Sequence, residues 1–167
     1  MKFFLGKLSK LFGVIRCPNY WPALIKGVAA GVEHESVLDQ IHCRHVVDIG
    51  ANRGQFALVC RKYFPDARID SFEPLSEPSA RFRAIFAGDE KVRLHQCAIG
   101  PREGDAIIHV SKQDDSSSLL PISTAQSTLF PNTEEKEERT IPVAPLATKL
   151  GNGEISKPAL LKVDVQG

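Results

Sequence analysis

Along HVVDIG (45–50) the chain is apolar until an acid and a glycine end the run. GQFALVCRKYF (54–64) then sets Phe56, Val59, Cys60 and Tyr63 at helical spacing and stops before Pro65. The alternation repeats. ARIDSFEP (67–74) predicts a second strand. Phe82, Ile85 and Phe86 give the next segment an apolar helical face, with Ser76 as the expected N-cap, Pro78 in the first turn and Gly88 closing it. KVRLHQCAIG (91–100) reads as a third strand and DAIIHVS (105–111) as a fourth. Residues 112–138 read as loop, with a serine run and the charge run EEKEER. TIPVAPL (140–146) predicts a short strand whose prolines argue for an edge. ALLKVDV (159–165) is a last, strongly apolar strand that reads as central and buried. Strands and helices alternating at this density predict right-handed βαβ units: an α/β fold, a parallel sheet and helices on both faces. Upstream, residues 20–41 read as two short helices broken around Gly31.

Composition changes this picture little. With 167 residues, one domain is the expectation. A net charge of +1 gives no global argument for nucleic acid, and no apolar run approaches the roughly 18 residues of a membrane span. Cys17, Cys43, Cys60 and Cys97 form no CxxC pair, which suits reduced, buried thiols and a cytoplasmic protein. Cys43 lies between His42 and His45, but no further ligands follow at a metal-binding spacing, so no metal is expected. Residues 1–32 carry five basic side chains and no acid. Phe4, Leu8, Leu11, Phe12 and Ile15 share one helical face. Two roles follow for residues 1–16: packing on the chain's own domain, or weak contact with a membrane surface.

The chemistry concentrates in VVDIGANRGQFA (46–57). In an α/β sheet the turn after the first strand faces the ligand. Gly50 and Gly54 let the backbone approach closely, and Asn52 tolerates positive φ. The following helix points its amino end at an anion, while Asp48 suits a cation. A ligand bearing both signs is implied, such as the amino-acid part of S-adenosylmethionine. A dinucleotide pyrophosphate would be repelled by Asp48 and prefers GxGxxG over G-A-N-R-G. Glu73 ends the second strand, 23 residues after Gly50, where an acid accepts ribose hydroxyls. An NAD(P)-dependent reductase and a non-catalytic fragment or binding module stand as rivals.

VVDIGANRGQFA, IDSFEPL, LHQCAIG, DDSSSL and LLKVDVQG, in this order, resemble the FkbM family of S-adenosylmethionine-dependent methyltransferases. The resemblance implies a Rossmann-like class I methyltransferase sheet with helices on both faces. It also implies O-methylation of a sugar or natural-product hydroxyl, hence a small-molecule or glycan acceptor and no nucleic acid. Carried over, it implies that Asp48, Gly50, Asn52 and Gly54 cradle the methionine part, and that Glu73 holds the ribose. It further implies that Ala98 and Ile99 lie near the adenine and that Asp164 lies beside the reacting methyl, where it is the candidate for base or sulfonium stabiliser. His95 and His109 are expected to be packed or surface residues. Ser116–Ser118 is either solvated loop or a segment that closes over the site. The domain reading is an N-terminal helical segment, 1–41, then the N-terminal part of a Rossmann-like methyltransferase domain, 42–167. The family's motif continues beyond DVQG, so the sheet is expected to be incomplete at its C-terminal side, in the front part of a longer protein.

Overall fold

The computed structural model describes residues 14–111, 117, 118, 120, 135–151 and 153–165. Most of the amphipathic segment 1–16, and with it the membrane-surface reading, lies outside the described residues; Val14 is buried in the core. Two short helices, α1 (Trp21–Ile25) and α2 (Glu35–Leu38), flank Gly31 as the sequence predicts. They are followed by β1 (His45–Ile49), α3 (Gln55–Tyr63), β2 (Arg68–Phe72), α4 (Ser76–Ile85), β3 (Val92–His95) and β4 (Ala98–Ile99). The chain continues through β5 (Gly104–Ser111), β6 (Glu135–Ala144), α5 (Leu146–Lys149) and β7 (Ala159–Val163). No helix among the described residues is long and apolar enough to cross a membrane.

The central sheet has the order β3-β2-β1-β7, and every pairing in it is parallel. Successive side chains of a strand face opposite layers, so β1 serves two cores at once. Val46, with Ile69 and Leu160, packs under Phe56, Val59 and Cys60 of α3 and Phe82 of α4. The N-terminal segment completes this layer through Tyr20, Ala23 and Val28. Val47, Ile49 and Phe72 face the other way, onto Cys97, Ala144 and Leu150, with Leu146 of α5 beside them. Each such side chain contributes roughly 1.5–3 kcal/mol on burial. The result is the Rossmann-like α/β arrangement expected: a mostly parallel central sheet flanked by helices.

Four local expectations are corrected. The stretch 91–100 is two strands, because the chain turns at Gln96–Cys97, where Cys97 N donates to His95 O at 3.0 Å. The second piece, β4, leaves the central sheet for a smaller one of order β4-β6-β5, in which β5 and β6 run antiparallel. β6 starts at Glu135, inside the expected loop, and is the middle strand rather than an edge. Its Pro142 is tolerated because β4 runs alongside only from Val143 onward, so at position 142 the strand pairs with β5 alone. β7 pairs with β1 alone among the described residues, and its Leu161 and Val163 are exposed rather than buried. A smaller correction concerns α4: Leu75 is the N-cap, and Ser76 is already helical, its hydroxyl donating to the Glu77 carboxylate.

One polar cluster sits inside the sheet. The Asp70 carboxylate is fully buried, with His45 Nε2 and His95 Nε2 each 2.8 Å from one of its oxygens and the Arg68 guanidinium 2.7 Å away. His45 Nδ1 accepts from Ser156 N at 3.3 Å, which places the ring proton on Nε2, pointing at Asp70. The four cysteines are free, and burial pushes the Cys43, Cys60 and Cys97 thiols up, away from reactive thiolates.

Candidate active site

The turn after β1 has the backbone its residues predict: Gly50 at φ +78°, Asn52 at +48° and Gly54 at +92°. Gly50 N and Ala51 N both donate to Phe72 O at 3.0 Å, drawing the turn onto the end of β2. Glu73 fastens it. One carboxylate oxygen accepts from Asn52 N at 3.0 Å and the other from Leu75 N at 2.9 Å, so a single side chain ties the loops after β1 and β2. Burial pushes the Glu73 carboxyl up, and these two amides only partly offset it. Glu73→Ala should leave two backbone donors without an acceptor and lower stability by about 1–3 kcal/mol in urea denaturation.

The protein's own packing also demands the two glycines. A Cβ at Gly50 would stand 2.1 Å from the Asp164 carbonyl oxygen. A Cβ at Gly54 would meet the rings of Phe86 and Phe82 at 2.7 and 2.9 Å. Asp48 likewise finds its cation within the chain. It is paired in register with Lys162 of β7, whose ammonium lies 3.0 Å from Asp48 Oδ1, donates to Gly50 O at 2.9 Å and lies 3.5 Å from Asp164 Oδ2. The Asp48 contact is a charge pair too oblique for a hydrogen bond, and the buried carboxylate has no directed donor among the described residues. Burial therefore pushes the Asp48 carboxyl up, with Lys162 pulling it back. Sequence reasoning missed Lys162. The signal was available: a lone lysine inside the apolar run LLKVDV must find a partner.

These strand ends open onto a cleft of about 340 Å³. Gly50, Asn52, Glu73, Ala98, Ile99 and Asp164 all line it, whereas Asp48 and Gly54 are not among its lining residues. Its apolar side combines Phe72 and Leu75 with Ala98, Ile99, Ile108 and Ile141 of the smaller sheet. Glu33 and His34 also line it, although the sequence assigned them to a separate helical segment. They reach it because Gly31 N donates to Gln55 O at 2.9 Å, docking the segment on the first residue of α3, and His34 stands edge-on to the Phe56 ring. Ser117 lines the cleft, and Ser118 pairs with His109 through the backbone; Ser116 lies outside the described residues. His95, stacked on Phe72 and bonded to Asp70, and His109, 3.6 Å from Glu138, are packed residues as expected.

Glu73, Asp164 and Lys162 thus line one cleft, an arrangement that suits a ligand bearing both a cationic and a compact anionic group. The family model of the methyltransferase FkbM domain matches residues 48–167, from the Asp48 carboxylate through Lys162 and Asp164. No curated protein matches the chain significantly.

Proposed function

The chain belongs to the FkbM methyltransferase family, and on that premise we propose that it carries a methyl group from S-adenosylmethionine to a hydroxyl of a sugar or natural product. The observation that carries the cofactor reading is the mixed charge of the cleft, whose lining brings the acids Glu73 and Asp164 together with Lys162. S-adenosylmethionine brings a sulfonium, an ammonium and one carboxylate, and so matches that balance. The pyrophosphate of a nicotinamide cofactor would place its charges among like charges. The residues also suit the nucleoside. Glu73 keeps lone pairs beyond the two amides it binds and ends a parallel strand, where ribose hydroxyls are met. Asn52 Oδ1 is buried without a hydrogen-bond partner among the described residues and can accept from an ammonium or hydroxyl. Ala98, Ile99 and Phe72 offer adenine an apolar wall.

When bound, the cofactor supplies a methyl group already activated by positive sulfur. The protein's task is then alignment of the acceptor oxygen, which can lower a barrier by roughly 7–11 kcal/mol. Asp164 stands at the rim with its carboxylate 79% exposed, restrained by Lys162 at 3.5 Å. From there it can steady a cationic centre or take the proton of an acceptor hydroxyl.

Titration calorimetry of the chain with S-adenosylmethionine, S-adenosylhomocysteine and NAD tests the reading. Saturable heat is expected from the first two and none from NAD. Tight NAD binding without heat from S-adenosylmethionine would overturn it.

A further inference from the structure

We propose that Lys162 is the residue that receives the carboxylate of the donor's amino-acid part. The inference rests on the cofactor reading above and adds the contact that fixes the ligand's anionic end. An ammonium has three N–H donors. One is donated to Gly50 O at 2.9 Å, and the Asp48 carboxylate, 3.0 Å away, holds Nζ beside the turn by charge alone. Asp164 Oδ2 lies 3.5 Å away, beyond normal hydrogen-bond length, and that side chain is 79% exposed, so donor capacity remains. A ligand carboxylate can displace so loose a partner.

The setting strengthens the contact. The Lys162 side chain is only 16% exposed and lies over the Phe56 ring, 5.6 Å from its centroid, so water screens the charge poorly. No arginine lines the cleft among the described residues. The same neighbours restrict the anion that can bind. Glu73 and Asp164 line the cleft beside Lys162 and disfavour a multiply charged phosphate or pyrophosphate over one compact carboxylate attached to a cation. The chemical class recognised is therefore an α-amino-acid group, with its carboxylate on Lys162 and its ammonium toward the acids.

The test compares S-adenosylmethionine with decarboxylated S-adenosylmethionine, which lacks that one group, by calorimetry on the chain and on Lys162→Gln. The wild type should bind the complete cofactor roughly 10- to 100-fold more tightly, as expected for a charge-assisted hydrogen bond. In Lys162→Gln the preference should fall to about one or reverse, because the acid-lined cleft favours the more cationic decarboxylated ligand. Lys162→Gln strands the buried Asp48 charge, so the neutral pair Asp48→Asn/Lys162→Gln provides a second variant, with the same loss of preference expected. A lysine that only braces the fold would leave the ratio of the two affinities unchanged. Equal binding of both ligands by the wild type, or a wild-type ratio in either variant, would overturn the inference while leaving the cofactor reading intact. Absence of binding by either ligand to the wild type would remove both.

Discussion

Gly50→Ala is expected to abolish cofactor binding and lower the free energy of unfolding by about 3–5 kcal/mol. The new methyl would sit 2.1 Å from the Asp164 carbonyl oxygen and 3.0 Å from both the carbonyl carbon and Val165 Cγ1. The obstacle is backbone, so no rotamer change relieves it; β7 would have to part from β1, or the turn would have to abandon its φ of +78°. Moving β7 also moves Lys162, which donates to Gly50 O, and the charge pair with Asp48 fails with it. Gly88→Ala is the control. Its φ is +90°, but a Cβ there meets nothing within 4 Å, so the loss should be confined to about 1 kcal/mol of backbone strain. Urea denaturation of the two variants beside the wild type reads the difference. Equal stability of the two variants would mean that the approach of Asp164 does not determine the residue at position 50.

The second large effect is expected at Asp70. Asp70→Ala removes the acceptor of two histidines and the counter-charge of Arg68 inside the sheet, and should destabilise by about 3–5 kcal/mol. The same carboxylate predicts a pH dependence. Burial alone would raise its proton affinity, but hydrogen bonds from His95 and Arg68, the Arg68 charge and His45 outweigh it. They bring the carboxyl from its ordinary value of 3.8 down to about 2. A lowered folded-state value means stability that is fully present above about pH 4 and lost as pH falls through about 2. The amount is about 2–3 kcal/mol. Denaturation at pH 5 and pH 2.5 should show part of that loss, about 1–2 kcal/mol, in the wild type and a smaller one in Asp70→Ala.

Much of this architecture is legible in the chain because its signals are local. HVVDIG ends in a strand terminus and a glycine turn, and Asn52 tolerates the positive φ it adopts. The spacing from Gly50 to Glu73 reflects one helix and one strand of ordinary length, so the acid arrives at the same edge as the turn. What eluded the sequence depends on partners distant along the chain. LHQCAIG carries apolar character throughout, and nothing local says that Val92–His95 and Ala98–Ile99 belong to different sheets. Pro142 suggested an edge, yet what decides its tolerance is how far β4 extends along β6. The cation that meets Asp48, Lys162, lies 114 residues later and arrives only through parallel register. The rings that exclude a side chain at Gly54 belong to α4.

The two walls of the cleft come from sheets that share no strand: Phe72 and Glu73 from the central one, Ile108 and Ile141 from the smaller one. A ligand held between them would be a cross-brace, spanning a seam that the backbone crosses between β3 and β4 and that the Arg139–Glu77 ion pair also bridges. Motion of one sheet against the other would leave every ladder hydrogen bond intact, so a ligand in the cleft would resist it by a route that neither ladder supplies.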